Sequence, residues 1–281
     1  MGRFHRHDDG TVHSHDHDDD GHHHHNHGDH GDHGDHGDHG DHEHSHGDHD
    51  HGDHSGYATG SQRIEVLESI FAENDSRADI NRKLFESNGV RALNLMSSPG
   101  SGKTTVLAAT LDELAGEVSV GVIEGDIATD LDAAKLDGRG AQISLLNTSN
   151  GFGGECHLDA PMVNRALQGL ELAPLDLVII ENVGNLVCPA EFDVGEHAKA
   201  MVYSVTEGED KPLKYPVMFR SVDVVLLNKT DLVPHLDVDV DSYIEHIRKV
   251  NPTATILPVS ARTGEGMKSW FDWVREFAAA R

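Results

Sequence analysis

The stretch that most restricts what this chain can fold into begins at Arg91. "RALNLMSS" is a short apolar run, "PGSG" is a turn, and "KTTVLAATLDELAG" carries apolar residues at helical spacing. An apolar strand passed through small residues straight into a helix is the opening unit of a sheet covered by helices. The same grammar then repeats. "VSVGVIEGD", "AQISLLNT", "LDLVIIENVG", "VDVVLLNKTD" and "ATILPVS" read as strands. "DLDAAKLDG", "DAPMVNRALQGLEL", "DSYIEHIRKVN" and "MKSWFDWVREFAA" read as the helices between and after them. Continuous Val/Ile/Leu runs, rather than alternating ones, predict strands buried on both faces. The expected fold is therefore α/β: a mostly parallel sheet with helices on both faces. A further helix over residues 62–88, stopped by Gly89, precedes the first strand. Ligands in such sheets bind at the carboxyl ends of the strands, so those ends carry the functional reading.

The first strand end is "SSPGSGKTT", Ser97 to Thr105. It matches the phosphate-loop pattern of a P-loop NTPase at Gly102, Lys103 and Thr104, with Ser97 standing where the pattern has its first glycine. In the binding loop Pro99, Gly100, Ser101, Gly102, Lys103, Thr104 and Thr105, the backbone N–H groups from Gly100 to Thr104 can converge on phosphate oxygens only because small residues permit close approach. Lys103 supplies charge to the β- and γ-phosphates, and the Thr104 hydroxyl is placed for Mg²⁺. A later strand ends in Asn228, Lys229 and Asp231, the spacing N-K-x-D. The Asp231 carboxylate can accept from the ring N–H and exocyclic amine of guanine, a donor pair that adenine lacks. GTP is thus the expected nucleotide. Ser260 and Ala261, after the next strand, are expected to offer a backbone N–H to the guanine carbonyl. Two more strand ends are acidic, giving Asp126 and Glu181 as Mg²⁺ ligand and water-orienting base, in an order the sequence leaves open. Gly184 is expected to present its N–H to the γ-phosphate. With no arginine finger evident, hydrolysis of GTP to GDP and phosphate is expected to be slow.

Residues 1–54 are of another kind. They hold 20 of the 24 histidines and 15 of the 49 acidic residues, with only Arg3 and Arg6 as cations, for a formal charge of −13. From Gly28 to His42 the triplet Gly-Asp-His repeats five times. Such a tail, taken as residues 1–60, cannot offset its ordering entropy by apolar burial and is expected to be disordered. The domain from 61 to 281 follows it. The net charge of −27 disfavours nucleic acid and anionic membranes as partners. No apolar run spans a membrane and no signal-peptide core is visible, so a cytoplasmic location is expected. His22, His23, His24, His25, His30, His33, His36, His39 and His42 are candidate ligands of a weak, high-capacity nickel or zinc store.

Both cysteines lie in the domain. Cys156 sits beside His157 in a glycine-rich loop, and Cys188 follows the Glu181 strand. Thiolate and imidazole suit nickel and zinc, although an adjacent pair supplies half a tetrahedral site at best, and Cys188 also fits a small buried hydrophobe. Closing the site calls for a second copy of the pair from a partner protomer.

Together "SSPGSGKTT", "EGD", "GECHLDA", "ENVGNLVCP" and "NKTDL" resemble the HypB family of hydrogenase nickel-incorporation GTPases, within the SIMIBI class, over residues 61–281. The resemblance implies a GTP-dependent nickel metallochaperone for [NiFe]-hydrogenase that dimerises on binding GTP. It makes Cys156, His157 and Cys188 the ligands of a nickel or zinc site at the dimer interface. It also implies a nickel-delivery partner of the HypA type and the hydrogenase large-subunit precursor as client. Ser97 departs from the loop pattern, and "MGRFHRHDDG" lacks the cysteines some members carry there. Alternatives are a UreG-like urease-maturation GTPase, whose usual motif is Cys-Pro-His, a metal-storage protein with a vestigial GTPase site, and a chaperone GTPase for a cobalamin enzyme.

Overall fold

The computed structural model describes residues 4–6, 12–14, 60–125, 135–146 and 157–280. The chain divides into two units, residues 1–52 and 53–281. In the first, β1 (Phe4–Arg6) pairs antiparallel with β2 (Val12–Ser14), His5 opposite His13. Composition predicts no ordered element there. The pair falls where Phe4 and Val12, residue types that favour strands, interrupt the His/Asp pattern. The triplet repeat and its candidate histidines lie outside the described residues.

The second unit opens with α1 (Gly60–Asn88), which begins two residues before the predicted start. It ends where Gly89 adopts φ 67°, the left-handed stop expected there. The strands that follow are β3 (Arg91–Ser97), β4 (Val120–Glu124), β5 (Gln142–Leu145), β6 (Leu177–Glu181), β7 (Ala198–Ser204), β8 (Val224–Asn228) and β9 (Thr255–Pro258). They form one sheet in the order β5-β4-β6-β3-β7-β8-β9, and every pairing is parallel. The chain starts in the middle at β3, runs outward to β4 and β5, returns to β6, then crosses β3 to β7. That reversal opens a crevice above β3, the place where ligands bind in doubly wound sheets.

The helices are α2 (Lys103–Leu114), α3 (Ala160–Leu167), α4 (Cys188–Glu191), α5 (Lys211–Lys214), α6 (Pro216–Arg220), α7 (Val240–Val250) and α8 (Met267–Ala279). The predicted helix at 130–138 lies mostly outside the described residues. Alternate strand residues feed opposite cores, as a sheet covered on both faces requires. Leu93, Leu177 and Ile179 pack with Val106, Leu107, Trp270 and Val274 of α2 and α8. Ala92, Val178 and Ile180 pack with Phe85 of α1 and Val163 of α3. Tyr243 and Ile247 of α7 cover Met201, Tyr203 and Val225. Buried Trp270 keeps its indole N–H satisfied by donating to Thr110 Oγ1 at 2.8 Å.

Two elements differ from expectation. Strand β7, adjacent to β3, is not predicted by the sequence pattern, because its short run contains Lys199 and follows acidic and polar residues. Here the Lys199 head pairs with Glu196 at 3.3 Å, and its backbone N–H donates to Asp223. The helix predicted through Leu172 ends at Leu167, where Gly169 turns the chain and leaves Leu170 and Leu172 to fill the core as loop residues. Among the described residues no helix is long and apolar enough to cross a membrane.

Candidate functional site

The loop after β3 follows the backbone its residues permit. Ser97 is still in the strand, so the serine in place of glycine meets no conformational demand. Gly100 and Gly102 adopt φ 74° and 101°. A Cβ on Gly102 would lie 2.5 Å from Asn228 Nδ2, so this position needs glycine for its backbone and for space. Helix α2 begins at Lys103 with no side-chain cap, leaving its first N–H groups directed at the loop mouth. A cavity of about 340 Å³ is lined by residues 97–105 and by Lys135, a cation the motif reading did not reach.

Below this cavity sits a buried polar cluster. Lys103 Nζ lies 3.3 Å from Glu181 Oε1, with side chains only 4% and 0% exposed. Thr104 Oγ1 donates to the same oxygen at 2.9 Å. Glu181 Oε2 is buried with no hydrogen-bond partner. A buried carboxylate oxygen left without a donor is costly, and a cation is the natural group to satisfy it. Glu124, also buried, stands beside Glu181 in register on the neighbouring strand. Asp126 lies outside the described residues. Gly184 runs against the phosphate loop: a Cβ there would meet Pro99 N and Cα at 3.2 Å.

On the other side Asn228 joins three segments. Its Nδ2 donates to Ser101 O at 2.9 Å, and its Oδ1 accepts Ala261 N–H at 3.0 Å. Lys229, in the left-handed conformation, donates from Nζ to Gly100 O at 2.6 Å. Ser260 Oγ donates to Asp231 Oδ1 at 2.7 Å and so orients that carboxylate. These contacts enclose a second cavity of about 280 Å³, lined by Gly102, Thr105, Asn228, Lys229, Asp231 and Ala261, with Leu232 and Arg262 unforeseen. The two cavities share Gly102 and Thr105, as the base and phosphate compartments of one nucleotide would. The Ser260 N–H donates to Glu265 O at 2.9 Å, and the Ala261 N–H donates to Asn228 Oδ1 at the end of β8.

A family model for the CobW/HypB/UreG nucleotide-binding domain matches residues 91–258. Over 221 residues the chain is 51% identical to the hydrogenase maturation factor HypB of Azotobacter chroococcum mcd 1, covering 79% of this chain and 71% of that one. The crystal structure of HypB from Archaeoglobus fulgidus matches with a TM-score of 0.68 and 35% identity, over 74% of this chain and 99% of that one. This chain belongs to the HypB family. HypB from Helicobacter pylori, solved in complex with nickel, matches with a TM-score of 0.67 and 35% identity, over 73% and 95% of the two chains.

The sheet, the phosphate loop and the N-K-x-D strand end thus form the nucleotide-hydrolase fold of a HypB domain. His157 lies just before α3, and Cys188 lies beyond the end of β6. The His157 ring packs on Phe192 with centroids 4.1 Å apart, and Phe192 packs on Phe71 of α1 at 5.2 Å. Cys188 opens α4 and is half-buried. Cys156 lies outside the described residues. Among the described residues no three His, Cys, Asp or Glu side chains stand grouped for a metal. Sequence reasoning also missed Asn182, Asn94 and Glu196, which are buried and hydrogen-bonded to one another. Asn182 lies within the motif ENVGNLVCP, but no motif joins it to Asn94 and Glu196, which come from other segments. Burial pushes the Glu196 carboxyl above the usual carboxylate range, against the pull of Lys199.

Proposed function

We propose that this HypB-family chain is a slow GTP hydrolase that stores nickel and assists its insertion into [NiFe]-hydrogenase. The supporting observation is the path of β6. It carries Glu181 into the buried Lys103–Thr104 cluster, and its continuation passes Gly184 and reaches Cys188. A nucleotide site and a cysteine therefore stand on one segment.

In this reading, backbone N–H groups of Gly100 to Thr104 hold the phosphate oxygens. Lys103 turns from Glu181 toward the β- and γ-phosphates. Mg²⁺ would be held by the Thr104 hydroxyl and by one of two carboxylates, Glu181, whose Oε2 lacks a partner, or Asp126. When bound, Mg²⁺ supplies charge that offsets what develops on the phosphate oxygens. Whichever of Asp126 and Glu181 does not hold the ion orients the water that attacks the γ-phosphorus. The P–O bond to GDP breaks, and inorganic phosphate leaves. Gly184 senses the γ-phosphate through its N–H. Asp231, oriented by Ser260, selects guanine.

Nickel is the cargo. Cys156, His157 and Cys188 are its proposed ligands, with zinc as a competitor, and a second copy of the chain closes the site when GTP brings two protomers together. A HypA-type protein and the hydrogenase large-subunit precursor are the proposed partners, in the cytoplasm. Residues 1–60 form the store, in which many near-equivalent imidazole sites give capacity rather than tightness. Residues 61–281 form the GTPase domain.

Deleting residues 1–54 removes 20 histidines and neither cysteine. The shortened chain is expected to bind GTP normally, to lose most of its nickel capacity, and to support hydrogenase maturation except when nickel is scarce. Cys156→Ala is expected to do the reverse, with capacity nearly unchanged and maturation impaired at moderate nickel. Nickel titrations and hydrogenase assays at several nickel concentrations check both. Equal phenotypes for the two variants would refute separate storage and transfer sites.

A further inference from the structure

Asn182 has no part in the mechanism above, yet its side chain is fully buried between Glu181 and Gly184. Its Oδ1 accepts two backbone N–H groups, from Leu158 at 3.0 Å and Val183 at 2.9 Å. Two N–H donors on one atom identify that atom as the amide oxygen. Leu158 directly follows His157, and Val183 directly precedes Gly184. One acceptor thus holds the residue next to the metal-side pair and the residue next to the γ-phosphate sensor.

The amide is itself held from behind. Its Nδ2 donates to Asn94 Oδ1 at 3.2 Å, and Asn94 Nδ2 donates to Glu196 Oε1 at 3.3 Å. Glu196 accepts Val194 N–H at 2.8 Å through its other oxygen and pairs with Lys199. The metal-side segment is pinned again just beyond Leu158. Ala160 N–H donates to Asn74 at 2.9 Å, and Ala160 O accepts from Asn81 at 2.9 Å, both from α1. The Leu158 side chain lies against Gly125: a Cβ on that glycine would sit 2.5 Å from it. Leu158 therefore touches the ends of both acidic strands. It cannot shift without disturbing Asn182 or the residue before Asp126.

We infer that Asn182 is a positioning residue that transmits between the γ-phosphate loop and the metal-side loop, through the oxygen shared by Val183 and Leu158. Movement of Val183–Gly184 onto a γ-phosphate alters the claim of Val183 on that oxygen. It thereby alters the hold on Leu158 and, one residue away, on His157. The inference rests on the GTP and nickel reading above, and linkage makes it measurable from either side: if GTP favours nickel, nickel favours GTP by the same factor.

The test uses the full chain. Affinity for a non-hydrolysable GTP analogue is measured with and without saturating nickel, with Cys156→Ala setting the uncoupled baseline. The wild type is expected to bind the analogue at least about fivefold more tightly with nickel. Asn182→Ala is expected to bind it equally in both conditions, while its nickel-free affinity stays within about tenfold of wild type. If Asn182→Ala does not fold, Asn182→Ser decides, since its hydroxyl is too short to span to Leu158. Wild-type coupling in the alanine or serine variant overturns the inference, as does an uncoupled wild type or loss of analogue binding in a folded variant. A wild type that binds no GTP analogue or no nickel removes the functional reading itself, and the inference with it.

Discussion

Lys103→Ala is expected to lower GTP turnover about a thousandfold, about 4 kcal/mol in activation free energy, while nickel binding by the tail is unchanged. Lys103 is the cation at the base of the phosphate cavity, 3.3 Å from Glu181 and almost wholly buried. A positive charge held there in advance meets the charge developing on the γ-phosphate in a site from which water is largely excluded, where its effect is greatest. The substitution has a second consequence before nucleotide arrives. It leaves the Glu181 carboxylate, which is 0% exposed, without its cation. Removing one partner of a buried ion pair typically destabilises by about 3–5 kcal/mol. A lower melting temperature without nucleotide should accompany the kinetic loss, so turnover must be assayed well below it. Normal turnover in a folded Lys103→Ala protein would remove the phosphate loop from the mechanism.

Asp231→Asn is expected to weaken GTP by more than tenfold, over about 1.4 kcal/mol, and to improve xanthosine triphosphate relative to GTP. The argument turns on donors and acceptors. The Asp231 carboxylate only accepts, and Ser260 Oγ at 2.7 Å fixes its orientation. Guanine offers it two donors. An amide in its place brings its own N–H₂ against a guanine donor, leaving buried groups mismatched. Xanthine, with a carbonyl where guanine has its amine, matches the amide instead. Competition binding with GTP, ATP and xanthosine triphosphate checks the order. ATP competing with wild-type protein as well as GTP does would contradict guanine selection.

Much of this site was legible in the sequence because its chemistry is local. The phosphate loop, N-K-x-D and Gly184 each lie within a few residues of a strand end, and the parallel sheet gathers strand ends at one edge. What stayed hidden depends on contacts between distant segments. Strand β7 was masked by Lys199, whose partners Glu196 and Asp223 come from outside the strand. The engagement of the Ser260 and Ala261 N–H groups follows from how the loop closes on Glu265 and Asn228, which spacing does not encode. Asn182, Asn94 and Glu196 are ordinary residues in three segments, and only the packing of β6 against β3 turns them into a chain. Lys135 and Arg262 enter the cavity linings through the path of loops rather than through any motif.

The proposal that nucleotide assembles the metal site is tested most directly by nickel equilibrium dialysis on the chain lacking residues 1–54. It is run with and without a non-hydrolysable GTP analogue, with molar mass followed by light scattering. Nickel is expected to bind more tightly with the analogue, at a stoichiometry set by Cys156, His157 and Cys188, as the sample passes from monomer to dimer. The same nickel affinity in both conditions, with a monomer throughout, would contradict it.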